Sequence, residues 1–490
     1  MAVRKAEHLS LAERRARGRQ ARDRTPVSAH AGWVPTGDRP DPVKLLREQN
    51  TTREPDLVPV RHGRMMVSPF TFYRGSAKIM AADLTGTPTA GLEVQLCGDA
   101  HLSNFGVFAS PERVLLFDVN DFDETLPGPF EYDVKRLAAS FTIAARNNGF
   151  SEADARAVTM TSAAAYREAM ATFAGMRTMD IWYARLSEDE LRTAIRRAVR
   201  QVEKDKSAAK GKKAAKDAKE PRELGKRGLK AAQKAHTRDS LQALSKLGEL
   251  VDGRYRIVSM PPVVVPFREL PAIYGFSPGQ LQEMIHHQFR EYRASLQDDR
   301  RQLLERFEIV DMARKVVGVG SVGTRAFIAL LQGRDAGDPL FLQVKEATAS
   351  VLEDHLPKSR FRQPGERVVQ GQRLMQAASD IFLGWSKGEQ AGRPLLLLLA
   401  AAARHEGIGW VETMLPEGLT FYARICGWTL ARAHARSGHP AEIAAYLGSG
   451  DKFDRSITDF SERYASQNER DYQTFTDAVR TGRITALEGV

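Results

Sequence analysis

The chain reads as an α+β protein with a largely helical lobe and a smaller lobe built on an antiparallel sheet. Three observations lead there. Long helical periodicities fill residues 132–203 and 419–490. A β-rich block, ARKVVGVGSVGTRAFIALLQGRDAGDPLFLQVKEA at 313–347, reads as two strands about a glycine-rich turn, a loop and a third strand. A second, shorter β-rich region at 92–121 breaks into polar loops dense in Asp and Asn.

In chain order, residues 1–55 are basic and polar and are expected to be partly disordered. Residues 56–203 form the first part of the helical lobe: an aromatic segment with Arg64, Arg74 and Lys78, then a short strand at Leu92–Leu96, a polar loop, a hairpin in VFASPERVLLFDVND, and a helix over Tyr132–Asn147. The Lys/Ala-rich stretch 204–234 has few large apolar residues and reads as a solvated insertion. Residues 235–310 connect, with a strand in IVSMPPVVVPF and a helix over 278–307. The small lobe occupies 311–418 and helices return over 419–490. The run Pro394–Ala403 reads as a buried helix and GWVETML as a short strand.

Bulk properties exclude several classes. No apolar run approaches the roughly 20 residues that cross a bilayer, the N-terminus lacks the apolar core of a secretory signal, and two cysteines cannot build a disulfide framework. A cytoplasmic protein with no membrane partner is expected. The net charge of +11 is concentrated in residues 1–30 and 204–234, so a nucleic-acid contact through these segments is possible but not favoured over simple solvation.

Two constellations carry chemistry. In GDAHLSNFG, Asp99, His101 and Asn104 follow directly on a strand, and Asp121 lies seventeen residues beyond Asn104 at the end of another, in FDVNDFDE. Phosphoryl transfer asks a protein for a carboxylate to orient the attacking hydroxyl and for oxygen ligands to Mg²⁺, and these residues supply both. In the second constellation, Gly318, Gly320 and Gly323 form a G-x-G-x-x-G that leads into a strand rather than a helix, which disfavours a dinucleotide-binding turn. Lys345, at the end of the third strand, is then a candidate contact for nucleotide phosphates.

GDAHLSNFG resembles the catalytic loop of aminoglycoside phosphotransferases and choline-kinase-like enzymes, H-G-D-x-H-x-x-N. FDVNDFDE with GPFEYDVKRLA resembles their metal-binding and downstream segments. The resemblance implies Asp99 as catalytic base with His101 shaping the loop, Asn104 and Asp121 as metal ligands, and Asp133 as a carboxylate bracing the loop. Asp118 and Asp123 compete with Asp121, and Asp123 is carried with it as a ligand. Cys97 stands where that pattern has His. Glu353 is the expected ion-pair partner of Lys345, with Glu346 and Asp354 open, and GWVETML is the expected hinge for adenine. ATP and Mg²⁺ are the implied cofactors.

The order of the parts is reversed relative to ordinary kinases, because the catalytic segment precedes the glycine-rich turn. Residues 419–438, with His434 near the end, resemble the helix that normally leads into the catalytic loop. Circular permutation of a protein-kinase-like two-lobe fold accounts for this. Over 40–480 the chain also resembles an uncharacterised bacterial family with GDxHxxNFG, NDFDE, QVKEA and VVxGQRLMQ hallmarks, for which the resemblance brings no substrate. The expected activity is Mg²⁺/ATP-dependent transfer to a hydroxyl. Nucleotidyl transfer, nucleotide binding without catalysis, nucleic-acid binding and metal-dependent hydrolysis are the alternatives.

Overall fold

The structure, a computed structural model, describes residues 8–187, 189–191, 193, 196, 240–251, 254–270, 278–316, 318–390, 393–401, 406–407 and 411–489. The expected Lys/Ala insertion at 204–234 lies outside them. The segment expected to be partly disordered holds helices from Leu11 onward. Helix α1 (Leu11–Arg24) starts on a Ser10–Glu13 capping box, and α2 (Pro42–Asn50) on an Asp41 cap. Two of the α1 arginines are spent on the fold: Arg14 pairs with Glu442 at 2.9 Å, and Arg22 donates to the carbonyls of Ala445 and Tyr446. Three short helices follow, α3 (Val58–Met65), α4 (Pro69–Arg74) and α5 (Ala77–Leu84).

Strand β1 (Glu93–Leu96) pairs antiparallel with β4 (Leu126–Pro129), and between them β2 (Phe105–Ala109) and β3 (Leu115–Val119) form the expected hairpin. This arrangement delivers two polar loops, 97–104 and 120–125, to the same end of the strands. Helix α6 (Phe130–Asn147) then runs through the centre of the helical lobe, where Phe130 to Ala145 are all buried. Around it pack α7 (Glu152–Phe173) and, from the far end of the chain, α8 (Pro416–Ser437), α9 (Pro440–Leu447) and α10 (Lys452–Arg480). Apolar area buried over this many side chains, at about 25 cal/mol per Å², is what holds the two ends of the sequence together.

The second lobe is built on a six-stranded antiparallel sheet, its strands numbered on from β4 along the chain. Val264–Pro266 is β5, Glu308–Lys315 β6, Ala326–Gln332 β7, Pro339–Glu346 β8, Gly384–Gln390 β9 and Arg393–Ala401 β10.

 By hydrogen-bonded neighbours the sheet runs β9–β10–β8–β7–β6–β5, with β5 and β9 at its edges.

Several elements differ from the sequence expectation. The helix expected over 278–307 is two helices, Pro278–Ser295 and Asp298–Leu304. The expected strand in IVSMPPVVVPF is interrupted, since Pro261 and Pro262 have no N–H to donate to a ladder, and only Val264–Pro266 joins the large sheet. The run Pro394–Ala403, expected as a helix, lies mostly in β10, paired with β8 on one side and β9 on the other. A strand paired on both sides carries the same unbroken apolar run as a buried helix. Of the expected hinge strand GWVETML, Gly409 and Trp410 lie outside the described residues and Val411–Thr413 is a 3₁₀ turn. Among the described residues no helix is long and apolar enough to cross a membrane.

Helices α7 and α8 approach closely at Gly427, where an added Cβ would overlap the carbonyl oxygen of Ser162 and lie 3.0 Å from the Ala165 Cβ. Gly427→Ala is therefore expected to lower stability by about 1–3 kcal/mol, despite alanine's better helix propensity. Urea denaturation checks this, and an unchanged or raised midpoint would contradict it.

Candidate functional site

The loop after β1 is built by backbone demands. Gly98 has φ +85°, a conformation that favours glycine, and an added Cβ there would run into the backbone of Glu124. Asp133, in the first turn of α6, accepts hydrogen bonds from the N–H groups of Cys97 at 2.8 Å and Gly98 at 3.0 Å. His434 of α8 approaches the same carboxylate at 3.1 Å, with Tyr166 at 2.9 Å from its other ring nitrogen. The loop is thus braced by two helices from opposite halves of the sequence. Cys97 meets Asp133 through its backbone N–H, and its thiol is buried.

Inside the loop, the Asp99 carbonyl accepts from the His101 N–H and from Asn104 Nδ2, both at 2.8 Å. With Nδ2 engaged, the Asn104 amide has Oδ1 left for a ligand. The Asn120 N–H donates to the Asn104 carbonyl at 2.8 Å, tying the second loop to the first. Asp118 is excluded from ligand duty: it is fully buried, paired with Arg432, and accepts from the N–H groups of Val119 at 2.9 Å and Ala377 at 2.8 Å.

On the sheet side, Gly318 and Gly323 have φ of +68° and +89°. The turn between β6 and β7 folds back on the N-terminal helices: Arg64 donates to the Gly318 carbonyl at 2.6 Å, and the Gly323 carbonyl accepts from the Glu54 N–H at 2.8 Å. A Cβ at Gly320 would lie 2.9 Å from the Arg74 carbonyl oxygen. Val316 and Val322 pack with Leu57 and Val60 beneath the turn.

These parts enclose a cleft of about 290 Å³, lined by Asp99, His101, Asn104, Asp121 and Asp123 from the loops and by Gly318 and Gly320 from the turn. Gly323 supports the turn from behind. Lys345 lies within charge range of Asp123 and Asp121, which push its pKa up. Burial raises the Asp99 carboxyl, opposed by Arg136, whose Nε donates to it at 2.7 Å. Burial and the neighbouring Asp121 raise Asp123 to about 6, and burial raises Glu124 to about 7.

Glu353 does not fill the role expected of it. It closes a capping box with Ser350 and approaches Arg367 at 3.8 Å, while the carboxylates in charge range of Lys345 are Asp123 and Asp121. The S-x-x-E spacing of Ser350 and Glu353 is itself the sequence signal for that cap. Arg74 of the aromatic segment lines the cleft, as do Arg53 and Glu124, which sequence reasoning missed. Arg136 was also missed, although it sits three residues after Asp133 and so on the same helical face. Arg367 holds the second loop by donating to the carbonyls of Asp123 and Thr348, each at 2.8 Å.

The oxygen donors suit a hard cation. Among the described residues no three His, Cys, Asp or Glu side chains group as a self-sufficient metal site. Mg²⁺ needs only one or two carboxylates when phosphates and waters complete its shell.

The two kinds of carboxylate separate experimentally. Asp118→Asn is expected to cost about 3–5 kcal/mol, because it leaves Arg432 buried without its charge partner, whereas Asp121→Asn is expected to leave stability within about 0.5 kcal/mol or raise it. Chemical denaturation of both variants checks this, and equal losses would contradict it. A pH series tests the crowding. Asp123 titrates near 6 when folded, above the ordinary value for Asp, so the folded state binds more protons in between and loses stability as pH rises from about 4 to 6. Wild type should lose more over this window than Asp123→Asn, and the opposite sign would refute the assignment.

Residues 53–228 and 212–478 match a family described as uncharacterised proteins conserved in bacteria, DUF2252. No curated protein and no solved structure matches the chain. The two matched stretches span most of its length, and the chain belongs to the DUF2252 family.

Proposed function

We propose that the protein is a Mg²⁺/ATP-dependent phosphotransferase with a circularly permuted kinase-like fold, acting on a hydroxyl acceptor. The observation that carries this reading is a single cleft that joins loops at 98–124 to the glycine-rich turn at 318–323, with Lys345 in charge range of Asp121 and Asp123. The reversed order of the two segments is bridged by α8, whose His434 reaches Asp133 below the catalytic loop.

Each group then has a task. Asp99 accepts the proton of the attacking hydroxyl, and Arg136 orients it through the 2.7 Å hydrogen bond. His101, buried beside it, shapes the loop. The glycine-rich turn allows backbone N–H groups to approach the phosphates, and Lys345 contributes positive charge. Asp121, Asp123 and Asn104 would hold Mg²⁺, which when bound neutralises charge on the phosphates. The acceptor oxygen forms a bond to the terminal phosphorus of ATP, the bond from that phosphorus to the bridging oxygen breaks, and ADP leaves.

With water in place of the acceptor, slow Mg²⁺-dependent release of phosphate from ATP is expected. Asp99→Asn should reduce that rate by about 10²–10⁴-fold while nucleotide affinity changes less than about threefold. Equal rates in the two proteins would remove Asp99 from the chemistry. Tight ATP binding without any turnover would favour a nucleotide-binding protein that does not catalyse.

A further inference from the structure

Arg74 ends helix α4 and lines the cleft, yet it has no hydrogen bond or ion pair among the described residues. Its Nε is buried without a partner. The other described lysine and arginine side chains of the lining are engaged: Arg53 donates to the Val322 carbonyl and Lys78 pairs with Asp354 at 2.6 Å. Arg136 and Arg367, just behind the lining, are engaged as well. The guanidinium is half-buried, with its Cζ 6.0 Å from the Phe70 ring centroid, and a buried N–H lacking an acceptor is costly to maintain.

The surroundings of Arg74 indicate what it serves. The carboxylates in its charge range are Glu412 and Asp99, the proposed base. His101 lines the same cleft, with Nδ1 buried and unpartnered and Nε2 3.9 Å from Asp99. Two unspent nitrogen-bearing side chains therefore flank the residue that receives the acceptor's hydroxyl, while Lys345 and the glycine-rich turn are on hand for the nucleotide.

We infer that Arg74, with His101, forms an oxyanion subsite for the acceptor, so that the substrate class is a hydroxyl compound bearing a phosphate or carboxylate near the reacting hydroxyl. The inference rests on the phosphotransferase reading for the identity of the acceptor. A guanidinium suits either anion through paired N–H donors.

The test is calorimetry on the full chain as wild type, Arg74→Gln and Arg74→Lys. Inorganic phosphate and acetate are titrated separately, with and without a saturating non-hydrolysable ATP analogue and Mg²⁺; ATP is titrated alone. Wild type is expected to bind at least one of the two anions, at least tenfold more tightly than Arg74→Gln. Arg74→Lys should recover part of the loss, which guards against a folding defect, and ATP affinity should stay within twofold in both variants. The relative strength of the phosphate and acetate arms identifies the anion. Absent anion binding in wild type, or equal binding in Arg74→Gln, overturns the subsite. A matching loss of ATP affinity also overturns it, by assigning Arg74 to the nucleotide. Failure of wild type to bind ATP sinks the phosphotransferase reading instead, and the nucleotide-free anion titrations still decide the role of Arg74.

Discussion

Crowded negative charge is the constraint on which the cleft depends. Asp99, Asp121, Asp123 and Glu124 share a partly buried space, and burial with mutual repulsion raises the Asp123 and Glu124 carboxyls to about 6 and 7. Such a cluster persists only if cations are brought to it. The chain supplies them from separate elements: Arg136 from α6, Lys345 from β8, and Arg367 from the helix Pro364–Met375. Charge balance therefore ties the helical lobe to the sheet.

Asp133 answers a second requirement, that the loop bearing Asp99 be held still. Its carboxylate accepts two backbone N–H groups and meets His434, so residues far apart in sequence fix one turn. Arg432, two residues earlier on α8, neutralises Asp118. A single helix thus anchors both loops, one through each of two buried carboxylates.

The local parts of this site were legible because they rest on local rules. Asp99 and Asn104 follow a strand end, and the glycines of 318–323 lead into a strand as their neighbours' β-propensity requires. Asp121 and Asp123 could not be told from Asp118 by sequence, since the difference is made by Arg432, more than 300 residues away. The Leu-rich run in β10 was misread because an apolar stretch paired on both sides has no alternation to betray it. Glu353, the expected partner of Lys345, is instead engaged in the cap with Ser350. Arg74 stood out only as a charge in an aromatic segment, and its place in the cleft was not legible, because an arginine's burial is decided by what folds over it.

The central claim is that two segments more than 200 residues apart build one nucleotide site. It is tested most directly by calorimetric titration of ATP, with and without Mg²⁺, into wild type, Asp121→Ala and Lys345→Ala. The account predicts Mg²⁺-dependent binding that both substitutions weaken by at least about tenfold, or about 1.4 kcal/mol. No binding to wild type, or binding indifferent to both substitutions, would contradict it.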